Sequence, residues 1–232
     1  CDDIKHTYNQ AFAIYGLSSY YDASKNPHAL ELANSIFALI EDRCIDEYGY
    51  IEAFDRTWHP IDNDKLSEDG FHADKTMNTL LHIIEAYTEL YRVDRDVRVG
   101  EALKKVLYLC FNKVYDPQIH ILDVYFDKKM NSIANVYSYG HDIEASWLID
   151  RACEVLGDRE LLDEITPKTI KIANRVLQTA YKDGALNNQS IDGEVDTTRI
   201  WWVQAEGLVG FLNAYQKTGY ELYLDTVFSM WN

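Results

Sequence analysis

The segment Tyr137–Ile149 reads YSYGHDIEASWLI. Gly140 interrupts an extended run, and the pattern after it predicts a helix. His141 and Glu144 are three positions apart, so they share one face of that helix. A histidine and a carboxylate in the first turn are unusual on a packing surface. The segment therefore predicts a helix whose start carries functional polar groups.

Outward from this segment, apolar residues at helical spacing predict a chain built mainly of helices. The predicted helices are Tyr8–Tyr21, His28–Arg43, Asn78–Tyr91, Val97–Val114, His141–Leu156, Leu161–Tyr181, Ile200–Lys217 and one that begins near Glu221. Alternating patterns predict strands at Tyr48–Phe54 and Ile121–Phe126. Polar loops are predicted at about Trp58–Asp74 and at Asp183–Thr198.

These helices recur as pairs, with a tight turn inside each pair and a longer return after it. The turns fall near Lys25, Asp94, Gly157 and Gly219, a period of about 60–70 residues. At a similar distance before these turns stand Tyr8, Asn78, His141 and Trp202. Side chains at the same level of packed helix pairs would converge on one rim. The repeat predicts an all-α (α/α) toroid, with an open α-solenoid as the alternative.

The number of pairs bears on the domain organisation. The sequence contains three full helix pairs and most of a fourth, whereas a closed six-pair toroid needs about two more units of about 60 residues. The chain begins without Met and ends inside the apolar segment Asp225–Asn232. We therefore expect residues 1–232 to be a single (α/α) barrel domain that is an internal part of a longer chain, inactive when isolated.

Composition limits the function classes. The 232 residues are 47% hydrophobic and 26% charged, as in globular proteins, and no apolar run reaches the length of a membrane span. The net charge of -16 argues against nucleic acid and anionic membranes as partners, but it is compatible with a neutral sugar. Aromatic residues make up 13% of the chain, which suits a carbohydrate site, although large helical cores also use tyrosine.

Four cysteines occur, at Cys1, Cys44, Cys110 and Cys153. Their spacing contains no CxxC motif, which argues against zinc, and we expect neither metal nor cofactor. Cys110 and Cys153 lie in apolar helical runs and are predicted to be buried free thiols. Free thiols favour a reducing compartment, so we expect a cytoplasmic protein. Cys1 is compatible with a lipidated N-terminus or with a fragment boundary, and we favour the boundary.

Three motifs carry a resemblance to a known family. NTLLHIIEAY at 78–87, GHDIEASW at 140–147 and WWVQAE at 201–206 resemble motifs of the cellobiose 2-epimerase family, a group related to N-acylglucosamine 2-epimerases and mannobiose 2-epimerases. The resemblance covers the whole chain. It implies an (α/α)6 barrel and a 2-epimerase acting on the reducing-end glucose or mannose of a β-1,4 disaccharide, cellobiose or mannobiose. It also implies an arginine towards the N-terminus and a second catalytic histidine towards the C-terminus, neither of which has a counterpart here.

The chemistry of such a reaction favours a histidine. Epimerisation at C2 requires ring opening, removal of the proton next to the aldehyde, a cis-enediolate, and return of a proton to the other face. A base that titrates near neutral pH suits both transfers. The start of a helix disfavours the imidazolium form of His141, and Glu144 could steer the ring or bind a hydroxyl. A lone histidine would more often be a capping or core residue, but Glu144 and the resemblance favour a catalytic one.

Other polar and aromatic residues are candidates for sugar contacts. Asn78 and His82 share a helix face and could hydrogen-bond the open-chain sugar, with His82 stabilising the enediolate; a satisfied polar patch is the alternative. Trp202 and Glu206 are four apart and would place an aromatic platform beside a carboxylate. The remaining assignments are Trp147 as platform or core, Tyr8 as a weaker contact, Trp201 as core, and His6, His28, His59, His72 and His120 in polar or loop settings without a role.

Two other function classes remain open. An (α/α)6 glycoside hydrolase could use Glu144 and Glu206 as its two carboxylates, although a central histidine would then be surplus. A helical-repeat scaffold that binds proteins would leave the polar helix starts unexplained. The preferred hypothesis is a sugar 2-epimerase with a carbohydrate substrate, and without nucleic-acid or membrane partners.

Overall fold

The computed structural model of the protein describes residues 3–62 and 70–232. The described residues form eight α-helices: α1 Thr7–Ser24, α2 Pro27–Arg43, α3 Met77–Asp94, α4 Val97–Leu109, α5 Tyr139–Leu156, α6 Arg159–Thr179, α7 Trp201–Thr218 and α8 Glu221–Trp231. The strands are β1 Lys5–His6, β2 Ala53–Phe54, β3 Lys75–Thr76, β4 Tyr115–Asp116, β5 Ile121–Leu122, β6 Tyr125–Phe126, β7 Val136–Ser138, β8 Tyr181–Lys182, β9 Ala185–Leu186, β10 Gln189–Ile191 and β11 Glu194–Asp196. None of the helices described is long and apolar enough to cross a bilayer.

A short, recurring turn joins the two helices of each pair. Each odd-numbered helix ends at a residue with left-handed backbone, namely Lys25, Arg95, Gly157 and Gly219. In three of the four turns the next side chain caps the following helix by accepting a backbone N–H, as Asn26, Asp96 and Asp158 do. The chain therefore reverses within two residues. The predicted turn at Asp94 lies one residue later, at Arg95.

The four odd-numbered helices each have 18 residues, so their positions can be compared directly. Their second residues are Tyr8, Asn78, Gly140 and Trp202. The prediction that His141 stands at this level is wrong by one residue, because α5 begins at Tyr139 and His141 is third. The residue of α5 that is equivalent to Tyr8 and Trp202 is therefore Gly140.

The first compact unit consists of described residues up to Val114 together with residues 125–134. In it α1 packs against α2 and α3, and α3 packs against α4. The rings of Phe37 and Tyr87 meet nearly perpendicular in its core, with centroids 5.0 Å apart. β1 pairs with β2 and β3 pairs with β6, both antiparallel. Because β1 leads into α1 and β3 into α3, these pairings fix where the two helices start.

The second unit consists of residues 115–124 and 135–232. In it α5 packs against α6 and α7, and α7 packs against α8. Its core contains Tyr139, Ile143, Ala173, Val176, Ala180, Leu186, Val203, Phe211, Ala214 and Tyr223. β7, β10 and β11 form an antiparallel sheet in the order β11-β10-β7, and β7 leads directly into α5. The start of α5 is therefore anchored to a sheet.

The structure corrects three predicted elements. Only Ala53–Phe54 of the predicted strand Tyr48–Phe54 is a strand, because the chain turns at Gly49 and the N–H of Ile51 bonds back to Cys44. The predicted strand Ile121–Phe126 divides into β5, paired with β4, and β6, paired with β3. The predicted helix Val97–Val114 is α-helical to Leu109 and ends in a π-helical turn.

The predicted loop Asp183–Thr198 contains three strands. Two Asp-Gly pairs, at 183–184 and 192–193, adopt positive φ at both residues. Each pair closes a two-residue hairpin, β8–β9 and β10–β11. Asp-Gly is the sequence signature of this turn type, so the signal was present in the sequence.

Cys44, Cys110 and Cys153 are buried free thiols, which confirms the prediction for the last two. Burial raises the pKa of the Cys44 thiol to about 11. Cys1 and the middle of the predicted loop Trp58–Asp74 lie outside the described residues. Among the residues described, no group of three or more His, Cys, Asp or Glu side chains could hold a metal ion.

Candidate active site

His141 is held at the start of α5 by two neighbours within the second unit. Ser138 is the N-cap of α5, yet its hydroxyl makes no capping bond to the backbone. It lies instead 2.7 Å from Nδ1 of His141. The indole of Trp202 covers the imidazole at a centroid distance of 4.9 Å and an interplanar angle of 52°. The half-buried ring therefore has a defined orientation.

Gly140 makes this contact between α5 and α7 possible. A Cβ at position 140 would lie 2.5 Å from the indole of Trp202 and 2.7 Å from Val203, closer than side chains pack. The expectation that Gly140 ends the extended run is wrong, because β7 ends at Ser138 and α5 starts at Tyr139. The missing side chain makes room for Trp202 beside His141.

The two candidate carboxylates lie on adjacent helices of the same unit. Glu144 lies three positions after His141 on α5 and is buried, with 9% of its surface exposed. Glu206 on α7 accepts a hydrogen bond of 2.7 Å from Nε1 of Trp147 on α5. Trp147 is therefore a half-buried donor that orients a carboxylate.

Asp142 is a buried acid that the sequence did not single out. Its Oδ1 accepts from the N–H of Leu122 at 2.9 Å, which fastens β5 to α5. Its Oδ2 has no hydrogen-bond partner among the described protein atoms. Burial is the main cause that raises the pKa of Asp142 to about 8. An aspartate in a first helical turn resembles an ordinary surface acid, so nothing in the sequence indicated this environment.

Gln204 and Trp201 of the WWVQAE motif differ in how they contact the rest of the unit. The amide of Gln204 bonds both backbone groups of Leu186, accepting from its N–H at 2.8 Å and donating to its carbonyl at 3.0 Å. Gln204 thereby fixes β9 against α7. Trp201 is 80% exposed, so the prediction that it belongs to the core is wrong. No described residue covers most of its ring.

The first unit has its own group of aromatic and polar side chains, on α1 and α3. The ring of His82 lies 4.4 Å from that of Phe12 and 6.4 Å from that of Tyr8, between centroids. Its Nδ1 lies 3.3 Å from Oε2 of Glu85. Asn78 is one turn earlier on α3, and both it and His82 are partly exposed on a helix whose other residues are mostly buried.

His6 departs from its predicted setting. The sequence placed it in a polar or loop environment, but it lies in β1 with 8% of its surface exposed. Its Nδ1 is buried without a partner among the described atoms, and burial lowers its pKa. We assign it no role.

The predicted site residues thus fall into two groups, one in each unit. The second unit brings together His141 and Trp202, and it pairs Trp147 with Glu206. The first unit brings Tyr8 to His82, with Asn78 on the same helix as His82. Ser138, Gly140 and Asp142 are additional residues of the second group.

Comparison with known proteins gives one consistent family. The model of the N-acylglucosamine 2-epimerase family matches residues 1–232. A protein named cellobiose 2-epimerase from Ruminococcus albus is 53% identical over 230 residues, which are 99% of this chain and 59% of that protein. The chain therefore spans about three fifths of the length of this relative.

Solved structures agree with the sequence comparison. A sugar epimerase from a ruminal bacterium superposes with a TM-score of 0.98 and 52% identity, covering 100% of this chain and 59% of that one. A cellobiose 2-epimerase from Bacillus thermoamylovorans superposes with a TM-score of 0.93 and 44% identity, covering 100% and 60%. The predicted fold class, helix pairs of an (α/α)6 barrel with short β-hairpin returns, is confirmed.

Proposed function

Because the chain belongs to the N-acylglucosamine 2-epimerase family, we propose that it contributes the catalytic residues of a sugar 2-epimerase acting on the reducing end of a β-1,4-linked disaccharide. The observation that carries the proposal is the oriented imidazole of His141, held between Ser138 and Trp202 at a helix start. Two relatives that bear the name cellobiose 2-epimerase support cellobiose as the substrate, with mannobiose as the other candidate.

In the proposed reaction the sugar first opens to its aldehyde. A ring nitrogen of His141 takes the proton from C2, and the electrons of the C–H bond form the C1–C2 double bond of a cis-enediolate. Return of a proton to the opposite face of C2 gives the epimer. A histidine suits this task because it exchanges protons near neutral pH, a contribution of about 10²–10⁴-fold for a well-placed group. A second acid–base group must serve the other face, and we assign that role to no residue here.

We assign the neighbours of His141 to the sugar. Trp202 would stack on an apolar sugar face, and Glu206, oriented by the indole N–H of Trp147, would accept a hydroxyl. Glu144 is buried within α5, three positions after His141, where it would bind a hydroxyl or steer the imidazole. These roles need no metal or nucleotide cofactor.

We assign the group on α1 and α3 to hydrogen bonding and stacking. His82 and Asn78 are polar, partly exposed and on one face of α3, so they suit the oxygens of an open-chain sugar. A hydrogen-bond donor near O1 would stabilise the negative charge of the enediolate. This is the catalytic role that we propose for His82. Tyr8, whose ring lies near that of His82, would provide an aromatic contact.

A panel of sugars assayed with the intact protein tests the proposal. Cellobiose and mannobiose should each yield the C2 epimer at the reducing end, detected by anion-exchange chromatography. Cellobiitol, the reduced form of cellobiose, is the matched control and should remain unchanged because it has no aldehyde. Release of monosaccharides without epimers would favour the hydrolase with Glu144 and Glu206 instead. No turnover of either disaccharide would contradict the proposal.

A further inference from the structure

We propose that Ser138 is a positioning residue that sets the orientation and the tautomer of His141, so that Nε2 exchanges the proton with the sugar. The inference rests on the proposed function, because it specifies how the histidine of that site acts. Ser138 is the N-cap residue of α5, but its hydroxyl does not cap the helix.

Serine at the N-cap of a helix normally accepts a hydrogen bond from a backbone N–H two or three residues ahead. Ser138 is the N-cap of α5, but no such bond forms. Its Oγ instead lies 2.7 Å from Nδ1 of His141, the side chain of the third helical residue. Forgoing a cap typically costs about 1 kcal/mol, so the side-chain contact replaces a stabilising backbone bond.

The serine itself is rigidly placed. It is the last residue of β7 and pairs with Gln189 of β10 in the antiparallel sheet. Only 8% of its surface is exposed, so bulk water cannot readily substitute for the imidazole as partner. A serine whose backbone is paired in a sheet and whose side chain is buried can restrict the orientation of the imidazole that it contacts.

Because the Ser138 hydroxyl engages Nδ1, we assign proton exchange with the sugar to Nε2. A neutral imidazole has one N–H donor and one acceptor, and a hydroxyl can match either. When Nδ1 carries the hydrogen and donates to Ser138, the lone pair is on Nε2, which takes the proton from C2. The resulting imidazolium keeps its Nδ1–H bonded to Ser138 while Nε2 holds the transferred proton. The serine contact therefore survives proton transfer without ring rotation.

Trp202 restricts the ring from the other direction. Its indole covers the imidazole, in the space left by Gly140, and so opposes a flip that would exchange the two nitrogens. Ser138 and Trp202 together fix both the plane and the polarity of the ring. The hydroxyl of Ser138 can be removed by substitution while Trp202 and Gly140 are both retained.

Three variants of the intact protein test the inference. Ser138→Ala removes the hydroxyl, Ser138→Thr retains it, and Ser190→Ala removes a different buried hydroxyl from β10 of the same sheet. We expect Ser138→Ala to lower kcat by about 10- to 100-fold, the cost of a misplaced catalytic group, with KM little changed. Ser138→Thr should restore most of the loss, and Ser190→Ala should retain kcat.

A second measurement determines the tautomer of the His141 imidazole and needs no substrate. Nitrogen-15 NMR of histidine-labelled protein, with the His141 signals identified by their loss in His141→Asn, reports the tautomer. Wild type should show one dominant tautomer with hydrogen on Nδ1, and Ser138→Ala should show a mixture. An active wild type together with a Ser138→Ala variant of unchanged kcat and tautomer would overturn the role of Ser138 alone. Wild-type protein without epimerase activity would instead overturn the proposed function.

Discussion

The packing around His141 depends on glycine at position 140, where a Cβ would overlap Trp202. Tyr8, Asn78 and Trp202 occupy the same position in their helices, and only α5 has glycine there. Counting back from the turns predicts His141 at that level, one residue after the glycine that occupies it. The contact of Trp202 with Gly140 is made between separate helices, so no local pattern could reveal it.

Gly140→Ala should disturb both the packing and the site. Its Cβ would overlap the indole of Trp202, and overpacking of this kind costs about 1–3 kcal/mol of unfolding free energy. We also expect weaker epimerisation, because Trp202 must move off His141. Urea unfolding and epimer formation by the same preparation measure the two effects.

Gly16→Ala is the matched control for this substitution. Gly16 lies inside α1, and a Cβ there would meet no atom within 4 Å. Alanine should therefore stabilise the protein by up to about 1 kcal/mol through helix propensity. If Gly140→Ala were as well tolerated as Gly16→Ala, the account of Gly140 as the space for Trp202 would be wrong.

At the scale of elements, two buried acids, Asp142 and Glu52, lie at the starts of α5 and α3. Asp142 joins β5 to the start of α5, and Glu52 accepts three hydrogen bonds from Thr76 and Thr79 at the start of α3. Burial raises the pKa of Asp142 to about 8 and that of Glu52 to about 7. Both helix starts therefore contain acids that keep their protons in the folded state more readily than in the unfolded state.

This difference predicts that stability falls as the pH rises from about 4 to about 8. In that range the unfolded chain releases these protons while the folded protein retains them, so the folded state binds more protons and loses stability with rising pH. Asp142→Asn, which mimics the protonated acid, should reduce the slope of unfolding free energy against pH. Carboxyls whose pKa is lowered, such as Asp46, act in the opposite direction, but near and below pH 4.

Urea denaturation between pH 4.5 and 8 measures that slope. Glu101→Gln, a change at an exposed position of α4, is the control and should leave the slope as in wild type. A slope in Asp142→Asn equal to that of wild type would show that Asp142 is ionised in the folded protein throughout this range.

The helices were easier to predict from the sequence than the strands. Helices with strong periodicity were predicted within a few residues, because their buried faces and caps are local signals. The short strands were not, since β5 and β6 pair with different partners and their limits depend on those partners. The hairpins β8–β9 and β10–β11 have a local signal in their Asp-Gly turns, although the segment as a whole has the polar composition of a loop.

At the scale of the whole molecule, the repeat made the fold predictable. A left-handed residue follows each odd-numbered helix, and in three of the four turns the next side chain caps the following helix, so similar local physics specifies the helix pairs. Side-chain partners such as Trp147 and Glu206 are 59 residues apart and meet only through the packing of α5 on α7. The sequence therefore predicted the helix pairs more readily than the side-chain contacts between them.

The central claim is that this chain carries the base of a C2 proton transfer. The measurement that tests it most directly follows cellobiose incubated with the intact protein in D₂O, with deuterium at C2 read by NMR. We expect an epimer with deuterium at C2, because the proton leaves one face and a solvent-derived one returns to the other. His141→Ala should slow this incorporation by about 10²–10⁴-fold. An epimer that keeps its original hydrogen at C2, or a loss of less than about tenfold in His141→Ala, would contradict the account.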